Sequence, residues 1–274
     1  MSTENRCILV TGSSSGLGRA TALLFAERGW RVVATMRNPQ ADATLTGLVG
    51  VELVQLDTTD PARITDVARE YGDRVNVVFN NAGYGIGGPL EGLTDDQIVR
   101  QVNTNLLGTI RVTKAFLPYL RERGSGLFIN TSSIGGLVAV PFNSMYHATK
   151  WGIEGWSESM AFELGQVGLG IKIIEPGGMK TDFFIRSFDS AEHPAYADAA
   201  ARVHAVVSNP QAIARYSTPE QVADVVFKAA TDGTTRLRYL AGEDAKATWT
   251  ARQEAGDERF MAAMTQRFFG SDNP

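Results

Sequence analysis

Tyr146 and Lys150 stand four residues apart in the stretch SMYHATKWGIEGW (144–156), so any helix formed there puts both on one face. A lysine ammonium held beside a phenol in a cleft makes tyrosine, whose free pKa is about 10, usable as an acid or base near neutral pH. On an exposed surface the pair does nothing, and a surface pair is the commoner outcome for Tyr-x-x-x-Lys taken alone. The rest of the chain must decide.

A second set of residues suits a phosphate. TGSSSGLG (11–18) puts Gly12, Gly16 and Gly18, with Ser14, Ser15 and Leu17 between them, where an apolar run turns into an amphipathic one. Such glycines allow a tight turn and close backbone approach, and the free N–H groups of the following helix suit a pyrophosphate. The spacing is Gly-x-x-x-Gly-x-Gly, not the Gly-x-Gly-x-x-Gly dinucleotide fingerprint. A purely structural turn would look the same. NNAG (80–83), with Asn81, Ala82 and Gly83, ends a later apolar run and is either a small-residue ligand edge or a plain turn. Asp57, followed by Thr58, is placed to accept from an adenine amino group or to cap the next helix.

The elements that must position these residues alternate. RCILVTG, RVVATM, VELVQLD, RVNVVFNNAG, GLFINTSS, GIKIIEPGG and RLRYLAG read as strands. Between them lie the helix LGRATALLFAERG, a weak helix near 41–48, DPARITDVAREYG with Asp60 as cap, a long helix over 94–122, and the helix carrying Tyr146. TPEQVADVVFKAATDG is a capped helix, and a final helical stretch lies near 250–268. Short apolar runs alternating with helices predict a parallel sheet covered on both faces. The expectation is one dinucleotide-binding and catalytic domain over 1–274, with the aperiodic segment 182–212 as a substrate loop or lid.

Bulk properties remove other classes. Twenty-six basic against 30 acidic side chains give a net charge of −4 with no basic block, which disfavours nucleic acid and anionic membranes. Cys7 is a lone cysteine in an apolar run and fits a buried thiol in a reducing compartment. His147, His193 and His204 have no metal-ligand spacing, so no metal site is expected. No long apolar leader or span is present, and the cytoplasm is the expected location.

Together, TGSSSGLG, NNAG, Ser133, YHATK and PGGMKT (176–181) follow the order and spacing of the short-chain dehydrogenase/reductase family, which the sequence resembles closely over residues 6–182. The glycine spacing and size resemble its single-domain branch, and the whole looks most like the part containing hydroxysteroid and retinol dehydrogenases. The resemblance implies a Rossmann-like doubly wound parallel sheet of about seven strands and an NAD(P)-dependent oxidoreductase acting on CH–OH and C=O groups. It implies Tyr146 as general acid or base, Lys150 lowering the phenol's pKa and holding the nicotinamide ribose, and Ser133 polarising a substrate carbonyl. Ser132 is the competitor, and the family's spacing, thirteen residues before Tyr146, selects Ser133. Asn105, three before Gly108, is selected over Asn103 as the asparagine supporting a water chain to the lysine. Pro176, Gly177, Met179 and Thr181 would wrap the nicotinamide.

Met36 stands where NAD-using relatives place an aspartate, and Arg37 follows it with a guanidinium suited to a 2′-phosphate. Ser15 departs from relatives with a second basic residue there. NADP(H) preference over NAD(H) is the expectation. YGIGGPLEG, VAVPFNS and Phe183, Phe184, Phe188 and Tyr196 are either walls for an apolar, medium-to-bulky carbonyl compound or core and subunit contacts. The family resemblance also implies a homo-oligomer, dimer or tetramer. A non-catalytic nucleotide sensor or scaffold of the same fold is the alternative, and an isomerase or dehydratase using the same tyrosine is a third reading.

Overall fold

The computed structural model describes residues 6–181 and 187–270. Among these, strands in chain order are β1 (Cys7–Thr11), β2 (Arg31–Met36), β3 (Val51–Gln55), β4 (Val77–Asn80), β5 (Gly85–Gly87), β6 (Gly126–Thr131), β7 (Leu169–Pro176), β8 (Phe188–Ser190) and β9 (Arg238–Ala241). Seven form one parallel sheet in the order β3-β2-β1-β4-β6-β7-β9, and β5 pairs with β8 apart from it. Because the central strands are buried on both faces, they read as unbroken apolar runs: CILVT and VVFN are buried at every position. Strand order reverses between β1 and β4, which opens a crevice at the carboxyl edge.

The helices are α1 (Gly16–Glu27), α2 (Pro61–Tyr71), α3 (Asp95–Val102), α4 (Gly108–Arg123), α5 (Ser144–Gly165), α6 (Ala197–Val207), α7 (Pro210–Ala214), α8 (Pro219–Thr231), α9 (Glu243–Ala255) and α10 (Asp257–Phe269). One face of the sheet is covered by α1 and α8, where Phe25 packs edge-on against Trp30 and Phe227 at 5.0 and 5.1 Å. The other face is covered by α2, α4 and α5 through Ile64, Val67, Phe116, Leu120 and Leu164. This is the expected Rossmann-like architecture of seven parallel strands with helices on both faces.

Four local expectations change. No helix forms over 41–48: after a 3₁₀ turn at Pro39–Ala41, Asp42 Oδ1 accepts from the backbone N–H groups of Thr44 and Leu45, and Gly47 and Gly50 both have φ +80. The side chain competes with the helix for those N–H groups, and buried Asp42 is pulled away to meet Arg19. The segment 94–122 is two helices joined by a π turn at Asn103–Leu107. The last helical stretch is also two, broken at Gly256 with φ +72. Of the segment 182–212, residues 182–186, including Phe183 and Phe184, lie outside the described residues. The remainder carries β8, α6 and the start of α7, so it is more regular than its sequence suggests.

Candidate active site

The turn after β1 is built against the NNAG segment. Thr11 Oγ1 accepts from the backbone N–H groups of Asn81 and Ala82 at 2.9 and 3.0 Å, and Asn81 Nδ2 donates to Thr11 O and Gly12 O at 3.1 and 3.3 Å. A Cβ on Gly12 would lie 2.9 Å from Ala82 Cα, and one on Gly18 would lie 2.2 Å from Gly12 O and 2.6 Å from Asn81 Nδ2. Both glycines are there because backbone meets backbone. Gly16, at φ +52, has only Thr181 Cγ2 within 4 Å, at 3.7 Å, so this turn stays open on its outer side. Asn80, the first of the two asparagines, points inward and donates to Thr113 and Asn130, tying β4 to α4 and β6.

Ser15 precedes α1 without a side-chain capping bond, and no acid stands in the first turn. Its orphan N–H groups and positive helix end fit an anion, with Ser14, Ser15, Leu17 and the three glycines around them. Leu17 is buried into the core, so only its backbone is available. Arg37 extends into solvent past buried Met36, with no side-chain partner among the described residues. Asp57 does not cap α2, because Asp60 does, accepting from Ala62 and Arg63 N–H. Instead Asp57 Oδ1 closes a turn onto Thr59, and Thr58 is buried against Gly108. The uncapped α1 N-terminus and its glycine turn fit the phosphates of a nucleotide.

The side-chain half of the site hangs on α5. Tyr146 and Lys150 share its inner face, with Lys150 Nζ 5.7 Å from the Tyr146 ring centroid and donating to Thr131 O at 2.8 Å. Ser133 hydrogen-bonds the Tyr146 phenol and accepts from Gly135 N–H at 3.0 Å. Ser132 turns the other way, buried toward Glu154 and Lys150 O. Burial pushes the Tyr146 phenol up, and the Ser133 bond pulls it only part of the way back. In the protein alone, removal from water penalises the phenolate more than the Ser133 bond repays. Burial likewise lowers Lys150 to about 8, against the opposing field of Glu154.

Asn105 lies in the π turn, buried, with Oδ1 accepting from Tyr84 N–H at 3.0 Å and Nδ2 donating to Tyr84 O at 2.8 Å. Its side chain thus closes both backbone groups of the residue after NNAG and faces Gly83. A π turn inside a helix is a frequent mark of a functional site.

Three positioning features had weak or no sequence signals. His147, beside Tyr146, bonds Gly135 O at 2.7 Å through Nδ1 and accepts from Val140 N–H at 3.0 Å through Nε2, holding both ends of the loop that begins at Ser133. Burial lowers its pKa, consistent with the neutral ring those two bonds require. Thr11, a hydroxyl at the end of an apolar strand, was a legible hint. Asp244 on α9 was not: it accepts from Gly178 N–H at 2.7 Å, 66 residues away, while Tyr216 packs on Gly178 and Ser217 pairs with Met179. These contacts fix the segment from Pro176 to Thr181 at the carboxyl edge, beside Ser133 Oγ, which lies 3.5 Å from Pro176 O.

The crevice thus brings together an open parallel sheet, an uncapped helix N-terminus and a Ser, Tyr and Lys group. The model of the short chain dehydrogenase family matches residues 6–192, and the chain belongs to that family. The human 17-beta-hydroxysteroid dehydrogenase type 1 is 31% identical over 286 residues, covering 96% of this chain and 86% of that one. The crystal structure of a short-chain dehydrogenase from Streptomyces avermitilis superposes with a TM-score of 0.82 at 32% identity, each chain covered in full. The fold is shared with a Burkholderia cenocepacia short chain dehydrogenase in complex with NADP (TM-score 0.77, 24% identity, both chains covered in full). It is also shared with one from Burkholderia phymatum in complex with NAD (TM-score 0.78, 22%, covering 93% and 95%). The protein is an NAD(P)-dependent oxidoreductase.

Proposed function

We propose that the protein interconverts a carbonyl and a secondary alcohol on an apolar, medium-to-bulky substrate, with NADP(H) preferred over NAD(H). The observation that carries this reading is the meeting of the Ser133 hydroxyl, the Tyr146 phenol and the Lys150 ammonium at the sheet edge that faces the α1 N-terminus. Tyr146 gives its proton to the carbonyl oxygen in reduction and takes it back in oxidation. Ser133 donates to the same oxygen as charge develops, and Lys150 supports the phenolate and holds the cofactor ribose. The nicotinamide supplies or accepts the hydride when bound. The phenol's raised pKa suits it to hold a proton for reduction, and the charge of the oxidised cofactor favours the phenolate for the reverse.

The apolar substrate is supported by partly buried Phe142, which stands beside the Ser133 loop on a core of Val138, Val203, Phe260, Met264 and Phe268. Phe142 holds φ +59 and its ring faces Tyr196 at 6.2 Å. Exposed Trp151 and Phe162 on α5 and Val99 on α3 support a homo-oligomer packed through these helices. No helix among the described residues is long and apolar enough to cross a membrane, and we place the enzyme in the cytoplasm on the sequence grounds above.

The test follows the near-ultraviolet absorbance of NADPH and NADH during incubation with a panel of ketones and aldehydes graded in size. Consumption of NADPH with bulky apolar carbonyls is the expected result. Tight cofactor binding without turnover across the panel would favour a nucleotide sensor instead.

A further inference from the structure

Lys150 is not the last charged group on its face of α5. One turn on, buried Glu154 lies against the 3₁₀ turn after Ser133, where a Cβ on Gly136 would come within 3.0 Å of its Cγ. Glu154 Oε2 accepts from Arg238 Nε of β9 at 3.0 Å, and the same Nε lies 3.4 Å from Glu175 Oε1 of β7. Arg238 Nη2 reaches on to Glu158 at 2.8 Å. Ser132, just past β6, faces the Glu154 carboxylate and favours its charged form, while its hydroxyl donates to Lys150 O at 3.5 Å. Glu175 is 0% exposed, and neither its oxygens nor Glu154 Oε1 find a hydrogen-bond partner.

Fastening α5 to the sheet would need only Arg238 with Glu158. Two further acids under the helix, with three oxygens left unsatisfied, add a cost that fastening does not explain. A single proton resolves the crowding. Burial and the field of Glu154 raise Glu175 to about 8, which favours its protonated form at neutral pH. Burial raises Glu154 as well, and Ser132, Arg238 and Lys150 oppose it. The charged and titratable groups facing Glu154 are thus Lys150 on its own helix, Glu175 on β7 and Arg238 on β9, with the neutral Ser132 hydroxyl beyond β6. Glu158 is reached through Arg238, Arg236 acts on Glu175 from further off, and the 3₁₀ turn brings only glycine backbone.

We propose that Glu154 is a positioning residue for Lys150, its carboxylate held by Arg238 one turn along α5 from the lysine so that the ammonium stays charged where the site works. The proposal deepens the reading of Tyr146 and Lys150 given above and rests on it. Among the described residues Lys150 otherwise has the Thr131 carbonyl and the face of the Tyr146 ring against the penalty of burial, and Glu154 is the charged group that opposes that penalty.

The test titrates Lys150 directly in the full-length protein, through the carbon-13 shift of the lysine ε carbon after isotope labelling, with the signal assigned by its loss in Lys150→Arg. Glu154→Gln is expected to lower the Lys150 midpoint by about one pH unit. Glu154→Asp, which keeps the charge, should return most of the shift, and Glu175→Gln should leave the midpoint in place. A midpoint in Glu154→Gln equal to the wild type's overturns the proposal, whatever happens to thermal stability, since a purely structural glutamate would move only the latter. Should Glu154→Gln not fold, Arg238→Met serves: Glu154 then holds its proton and the midpoint falls, and an unmoved midpoint is again fatal. Failure of the underlying reading shows elsewhere, as turnover surviving in Tyr146→Phe, and does not alter the titration.

Discussion

At the N-terminus of α1 the first N–H groups meet no capping side chain, whereas α3 and α8 open with complete capping boxes, Thr94 with Gln97 and Thr218 with Gln221. Across the crevice, α5 presents named side chains: the Tyr146 phenol, the Lys150 ammonium and, beneath them, Glu154. One half of the site is therefore backbone, held open by glycines and a missing cap. The other half is side chain, held in place by burial and hydrogen bonds. A backbone site tolerates most changes except an added Cβ, while a side-chain site fails on the loss of a single atom.

The largest expected effect is on the side-chain half. Tyr146→Phe keeps the ring and removes the proton, so turnover should fall by roughly two to four orders of magnitude with cofactor affinity preserved. More than a tenth of wild-type turnover remaining would remove Tyr146 as the acid. On the backbone half, Gly18→Ala puts a Cβ against Gly12 O and Asn81, where backbone must move. Affinity for NADP(H) and NAD(H) should drop together, measured by fluorescence titration. Loss of only one would mean the turn does not hold the shared pyrophosphate.

Arg37→Ala sharpens the comparison, because it is a side-chain contact on the backbone half. A charge-assisted contact of about 1.5–3 kcal/mol predicts that the NADP(H) advantage in kcat/KM shrinks by one to two orders of magnitude, and adding Met36→Asp should reverse it. A wild type that uses NAD(H) equally well would exclude that role for Arg37.

The smallest effect concerns stability. Glu175 has a folded pKa of about 8, above its ordinary 4.5, so the folded state keeps a proton that the unfolded chain releases between those values. Stability from this group is full below pH 4.5 and declines as pH rises to about 8. Glu175→Gln should match the wild type at the acid end and gain in melting temperature relative to it across that window. Parallel melting curves from pH 5 to 8 would show that Glu175 is not the buried acid described.

Much of this was legible beforehand. The central runs CILVT and VVFN are mostly apolar and buried at every position because a parallel sheet buries both faces, and that pattern survives any detail of packing. The glycines at 12, 16 and 18 and the four-residue step from Tyr146 to Lys150 are local geometry, fixed by turn and helix spacing. Where sequence reading failed, a side chain chose a partner from elsewhere. Asp42 took the N–H groups of Thr44 and Leu45 and the guanidinium of Arg19 instead of letting 41–48 become a helix. Asp60 took the cap of α2, as the sequence led one to expect, and left Asp57 to close on Thr59.

The sequence by itself thus determined the order of strands and helices, the open turn before α1 and the shared face of Tyr146 and Lys150, because each depends on residues within a few positions of one another. Only the tertiary structure decided that Asn105 closes on Tyr84, that Asp244 fixes Gly178, and that Glu154, Glu175 and Arg238 crowd together beneath Lys150. Those partners lie on different elements, and their charges are set by burial, a quantity that exists only once the chain has packed.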